Sequence, residues 1–259
     1  VPAADPTVPE PIAIIGMSGR FPKARSVDEF WGILARGEDA VEEIPSDRFD
    51  WRPYYGDPQQ EAGKTDCKWG GFVPGVGEFD PLFFNIAPRD AANIDPQERL
   101  FIESCWHALE DGGYTRDRLR DRHRGRVGVF AGITKTGFAL HGPELWRRGG
   151  DGSPHTSCGS VANRVSYLLN LHGPSMPIDT MCSASLTAIH EACEHLYREE
   201  CELALAGGDL DQALIWTEWT MEFNQSIFSP ERANYYRCLQ TLLLLAMEED
   251  RDPLQYHRA

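Results

Sequence analysis

The sequence has no Cys-x-x-Cys pair among its seven cysteines, which stand at Cys67, Cys105, Cys158, Cys182, Cys193, Cys201 and Cys238. That spacing argues against the common zinc-ligand patterns, and neither a metal nor a bound cofactor is expected. The odd, scattered set also argues against a disulfide framework and for a reducing compartment. Long hydrophobic runs are lacking too. The run at residues 242–247 is far short of the ~20 apolar residues that cross a bilayer. No signal-peptide pattern opens the chain. Residues 1–10 are rich in Pro and Ala and read as a linker, so a cytoplasmic location is expected. Positive charge is scarce, with 25 Lys and Arg against 40 Asp and Glu, a formal net charge of -15. Such a surface repels nucleic acid and anionic membrane. The densest basic stretch, Arg116, Arg118, Arg120, Arg122, Arg124 and Arg126, is expected to be a solvated loop. No short repeat is visible.

What is present is ordinary globular composition, 41% hydrophobic and 25% charged over 259 residues, enough for one large domain. Residues 12–17 (IAIIGM) read as a buried strand. Ser26 and Glu29 form a capping box before an apolar pattern, so a helix follows. Residues 45–79 are rich in Pro, Gly, Trp and Tyr without a sustained period. They are expected to form a long, aromatic-pinned loop. Asp95-Pro96 opens a helix, with Leu100, Ile102, Cys105, Trp106 and Leu109 on its apolar side and Gly112-Gly113 as its stop. Residues 126–132 read as a second strand, 157–171 as a helix, 175–179 as a third strand, 183–197 as a helix and 203–208 as a fourth strand. Strands alternating with helices predict an α/β protein with a largely parallel sheet. Beyond Gly208, Trp216, Trp219 and Phe223 crowd a polar segment. Ser229-Pro230 then opens a helix striped by Tyr235, Leu239, Leu242, Leu243 and Ala246.

Cys182 lies where the third strand meets a helix N-terminus. Unpaired N–H groups and the positive end of a helix dipole favour a thiolate and an oxyanion at such a place. A buried structural cysteine, acting as a small hydrophobe, fits the same position. Position alone leaves both readings open.

The surrounding words resemble one family. Residues 179–190 (DTMCSASLTAIH) are similar to the active-site segment of β-ketoacyl synthase (ketosynthase) domains of modular polyketide synthases. Residues 11–21 (PIAIIGMSGRF), 47–58 (DRFDWRPYYGDP), 68–72 (KWGGF), 79–84 (FDPLFF), 95–100 (DPQERL), 162–167 (ANRVSY) and 204–208 (ALAGG) match the family's words in the same order. The DWRPYYGDP loop and the methionine before Cys182 look most like synthases served by a separate, trans-acting acyltransferase. The resemblance implies a thiolase-like fold, an αβαβα sandwich of two similar halves, with residues 11–208 as the N-terminal half. It also implies a homodimer paired near the strand before Cys182, and Cys182 as nucleophile with its own N–H in the oxyanion hole. The implied donor is an acyl chain on the phosphopantetheine arm of an acyl carrier protein, among neighbouring polyketide synthase domains.

The resemblance also has a gap. The family's two catalytic histidines follow the cysteine, one in a Glu-Ala-His-Gly-Thr-Gly-like motif and one in an Asn-Xaa-Gly-His-like motif. Neither motif occurs, and the only histidine after His195 is His257. His190 belongs to the shared SLxAIH pattern and is expected to be structural. Residues 209–259 do not resemble the family and are expected to form a divergent, mainly helical tail. Two expectations follow. One is a truncated ketosynthase that takes an acyl chain onto Cys182 but lacks the donors for decarboxylative condensation. The other is a non-catalytic scaffold that keeps a synthase dimeric and docked. Half a thiolase-like fold leaves an apolar face open. The tail helix, a symmetric partner or another polypeptide is expected to cover it.

Overall fold

The computed structural model describes residues 11–134, 137–155 and 157–208. The expected linker (1–10) and tail, with Trp216, Trp219, Phe223 and the helix after Pro230, lie outside them.

In chain order the elements are α1 (Val27–Arg36), β1 (Val41–Glu43), β2 (Trp69–Gly71), α2 (Pro88–Ala91), α3 (Pro96–Asp111), α4 (Arg116–His123), β3 (Val127–Gly132), α5 (His141–Arg147), α6 (Cys158–Leu169), β4 (Ser175–Ile178), α7 (Ala184–Tyr197) and β5 (Leu203–Gly208). Short 3₁₀ turns cover Arg52–Tyr54, Gly137–Leu140 and Met181–Ser183. Strands β4, β3 and β5 form a parallel sheet in that order. Parallel neighbours need crossover connections, and α6 and α7 lie in them. Strands β1 and β2 pair antiparallel in a separate ribbon.

Strand β3 is buried along its whole length, so it reads as a continuous apolar run. Its side chains still alternate between two cores. Val127, Val129 and Ala131 pack with Ile102, Cys105, Leu109, Val161 and Val165 from α3 and α6. Phe130 points the other way, against Ile178 and against Ala188 and Ala192 of α7. The result is three layers: α3 and α6, the sheet, and α7.

Local chemistry fixes the helix ends. The Ser26 hydroxyl accepts from the Glu29 N–H (3.2 Å), and Gly37 closes α1 in the left-handed region. Asp95 caps α3 by accepting from the Gln97 N–H (2.9 Å), with Pro96 at the first position.

Two expectations fail here. Residues 12–17 form no strand. Ile14 is 75% exposed, and Ile15 and Met17 are also exposed. The segment is tied to the end of α3, where the Met17 N–H donates to Asp111 Oδ2 (2.8 Å). A Cβ on Gly16 would stand 2.3 Å from the Ala108 carbonyl oxygen, so the backbones are in direct contact. An apolar run becomes a strand only when another strand supplies ladder partners, and among the described residues none does so. The basic stretch is a helix, not a loop. Thr115 caps α4 and Leu119 is buried beneath it. Three of its cations are already engaged: Arg120 with Asp117 and Asp121, Arg118 on the Tyr114 ring, Arg116 on the Trp106 ring.

The expected aromatic loop is pinned as its composition suggests. The Lys68 ammonium sits 5.1, 5.9 and 5.2 Å from the rings of Trp51, Tyr55 and Trp69, within cation–π range of all three. Phe79 stacks on Phe84 (5.3 Å) and Phe83 meets Trp106 edge-on (5.0 Å).

Candidate active site

Cys182 lies in the 3₁₀ turn between β4 and α7. It is exposed, which removes the buried structural reading. Cys105 on α3 fills that role instead: it is fully buried, and burial pushes its thiol up to about 12. Burial likewise raises Cys201.

The turn is strained. Met181, next to the thiol, has φ +57°, a region that L-residues other than Asn, Asp and Gly seldom occupy. Side chains on both sides hold it there. Asp179 Oδ1 accepts from the Met181 N–H (3.1 Å). Thr134, just past β3, donates to the Met181 carbonyl (3.5 Å). Thr180, Ser183 and Thr187 hydrogen-bond among themselves around Cys182.

The sheet brings the thiol forward through two glycines. A Cβ on Gly132, the last residue of β3, would stand 2.8 Å from backbone atoms of Ala184 and Ser185. One on Gly208, the last residue of β5, would stand 2.7 Å from the Ser185 hydroxyl. The first turn of α7 therefore rests directly on the carboxyl ends of two strands. Open α/β sheets bind ligands outside that edge. Ser183, the residue preceding α7, makes no side-chain cap. Its hydroxyl turns back to Thr180 (2.9 Å to the carbonyl). No side chain competes there for the N–H groups that an anion would use.

The histidines do not reach this place. His190 is exposed, two turns along α7 from Cys182. His195 is paired with Glu200 and lies against Phe130 (5.1 Å between rings). It is 13 residues past Cys182, roughly 20 Å along a helix. Among the described residues no cluster of three or more His, Cys, Asp or Glu could hold a metal ion. No helix there is long and apolar enough to cross a membrane.

One buried feature was not read from the sequence. Glu98 is fully buried on α3, accepts from the Ser160 hydroxyl (2.8 Å) and pairs with Arg164, both on α6. It ties the DPQERL segment to ANRVSY. A glutamate is almost never buried unless paired, and no sequence pattern announces the partner. The hydroxyl cluster at Cys182 was also missed, because threonine spacing carries no functional signal on its own.

The family model described as Beta-ketoacyl synthase, N-terminal domain, matches residues 9–231. The chain belongs to the β-ketoacyl synthase family, through its N-terminal domain. It is 55% identical over 198 residues to polyketide synthase ThaG of Burkholderia thailandensis, covering 76% of this chain and 3% of that protein. It is 50% identical over 201 residues to PksN of Bacillus subtilis, covering 77% of this chain and 4% of that protein. Among solved structures it resembles the oxazolomycin ketosynthase domain OzmH KS7 of Streptomyces albus JA3453. That match has a TM-score of 0.71 and 45% identity, and covers 75% of this chain and 34% of that one. The ketosynthase from module 6 of the bacillaene synthase of Bacillus subtilis 168 follows at TM-score 0.64 and 39% identity, with 76% and 31% covered. The fold is thus the thiolase-like ketosynthase fold, and the ketosynthase chain spans a small fraction of its curated relatives.

Proposed function

We propose that this ketosynthase region accepts an acyl chain on Cys182 from the phosphopantetheine arm of an acyl carrier protein. One observation carries the reading. An exposed thiol stands on a strained turn just before a 14-residue helix, in a chain of the ketosynthase family. The step is a thioester exchange. The Cys182 thiolate attacks the acyl carbonyl carbon, and the oxyanion formed is met by backbone N–H groups at the helix start. The carbon–sulfur bond to pantetheine then breaks, and the departing thiolate takes up a proton. The acyl chain remains on Cys182. The small, exposed side chain of Ser183 next to the thiol favours the approach of a long pantetheine arm.

Decarboxylative condensation needs further donors for the developing enolate. His190 and His195 do not supply them, and the family's two histidine motifs do not occur in the 259 residues. Condensation therefore requires groups from polypeptide outside those residues. The DWRPYYGDP loop and Met181 support assignment to synthases with a separate acyltransferase, working among neighbouring synthase domains. The outer edge of β4 has no partner among the described residues, which supports pairing of two copies along that edge.

The test is mass spectrometry after incubation with an acyl-pantetheine thioester and with acyl-loaded carrier protein. The expected result is one adduct on the Cys182 peptide that disappears in Cys182→Ala. No adduct, or the same adduct in Cys182→Ala, overturns the reading. If Cys182→Ala also leaves product formation by the assembled synthase intact, a non-catalytic scaffold replaces it.

A further inference from the structure

Beside Cys182 three hydroxyls form a chain that ends on the Ser183 carbonyl and so closes a ring of three residues, and their protons can be counted. Thr187 Oγ1 donates to the Ser183 carbonyl (3.0 Å). A threonine hydroxyl has one proton, so in the Thr180–Thr187 hydroxyl contact (3.0 Å) Thr180 is the donor. Ser183 Oγ in turn donates to Thr180, with both the carbonyl (2.9 Å) and the hydroxyl oxygen (3.0 Å) in reach. Each residue spends its proton on the next: Thr180 on Thr187, Thr187 on Ser183, Ser183 on Thr180. Hydrogen bonds joined head to tail polarise one another.

The ring encloses the two residues whose conformation matters, Met181 with φ +57° and Cys182. Strained backbone persists only when its surroundings over-determine it. Asp179 and Thr134 grip Met181 alone. The ring ties the residues on either side of the Met181-Cys182 pair to Thr187, in the first turns of α7. It also turns the Ser183 hydroxyl toward Thr180, away from the N–H groups of α7 that it would accept from as a cap.

We propose that Thr187, acting through this ring, is a positioning residue. It fixes the Cys182 thiol on its turn and keeps Ser183 away from the oxyanion donors. The proposal rests on Cys182 being the acyl acceptor.

Thr187→Val removes the hydroxyl at nearly constant shape, and Thr187→Ser keeps it. Thr180→Val removes the hydroxyl that bonds Thr187 at a second, exposed position, so the test survives if either variant alone folds poorly. Iodoacetamide labelling of the Cys182 peptide, followed by mass spectrometry, is expected to slow about fivefold in Thr187→Val, the effect of one lost hydrogen bond. Thr187→Ser restores the rate, and the melting temperature is unchanged. Thr180→Val with Thr187→Val is no slower than either alone, because each removes the same Thr180–Thr187 hydrogen bond. Wild-type labelling in Thr187→Val, failure of Thr187→Ser to rescue, or multiplying effects in the double variant would overturn the proposal. Labelling needs no acyl transfer. A wild type that labels but takes no acyl group sinks the acyl-acceptor reading, while the labelling rates still decide the ring.

Discussion

Cys105 and Cys182 are both free cysteines, and they end in opposite states. Cys105 lies mid-helix on α3, packed against β3 and α6, and burial pushes its thiol up to about 12. Cys182 lies at a helix start, exposed, above the carboxyl ends of β3 and β5. Position along the element separates them. The middle of an amphipathic helix delivers a side chain to the core. The junction of a strand and a helix delivers it to solvent beside unpaired N–H groups.

The contrast is broken most directly by labelling. Cys182 is exposed to the reagent, whereas Cys105 is buried and its thiol is pushed up to about 12. Iodoacetamide is therefore expected to modify Cys182 in the folded protein and Cys105 only in denaturant, as peptide mass spectrometry would show. Equal labelling of the two would erase the distinction. The next largest effect concerns the support beneath α7. Phe130→Ala empties a fully buried site between β3 and α7, and a loss of ~3–5 kcal/mol is expected in urea unfolding. A loss below about 1 kcal/mol would mean that α7 is held by something else.

Gly132→Ala sharpens the comparison at one residue. Its Cβ would stand 2.8 Å from the backbone of Ala184 and Ser185, so the start of α7 must shift. Overpacking of that kind costs ~1–3 kcal/mol. Slower labelling of Cys182 is expected, with Cys105 still protected. Lys68→Met is the smallest change and the distant control. It empties the cage of Trp51, Tyr55 and Trp69, for a loss of ~0.5–2 kcal/mol in the same assay. Cys182 labelling stays as in the wild type. A changed rate would couple the aromatic loop to the thiol.

Much of the layout was legible in the sequence because it rests on local signals. The capping residues Ser26 and Asp95 start helices where their side chains predict. Strands β3, β4 and β5 fall within a residue or two of their apolar runs. Residues 12–17 show the limit of that logic. They are as apolar as β5 and share its glycine punctuation, yet they form no strand, because a ladder needs a partner that no local pattern can state. The arginines at 116–126 show the converse. Charge suggested a loop, while the Thr115 cap and the single buried Leu119 made a helix.

For the site, the sequence by itself determined the family and singled out Cys182 as the candidate nucleophile, through the order of short words around it and its placement between an apolar run and a helical one. Tertiary structure alone decided that the thiol is exposed and that Met181 is held in a strained turn. It alone showed Gly132 and Gly208 seating α7, and neither His190 nor His195 serving the thiol. The reason is physical. Helix starts and strand runs are set by interactions within a few residues, whereas close approach, burial and a hydroxyl ring depend on groups that only packing brings together.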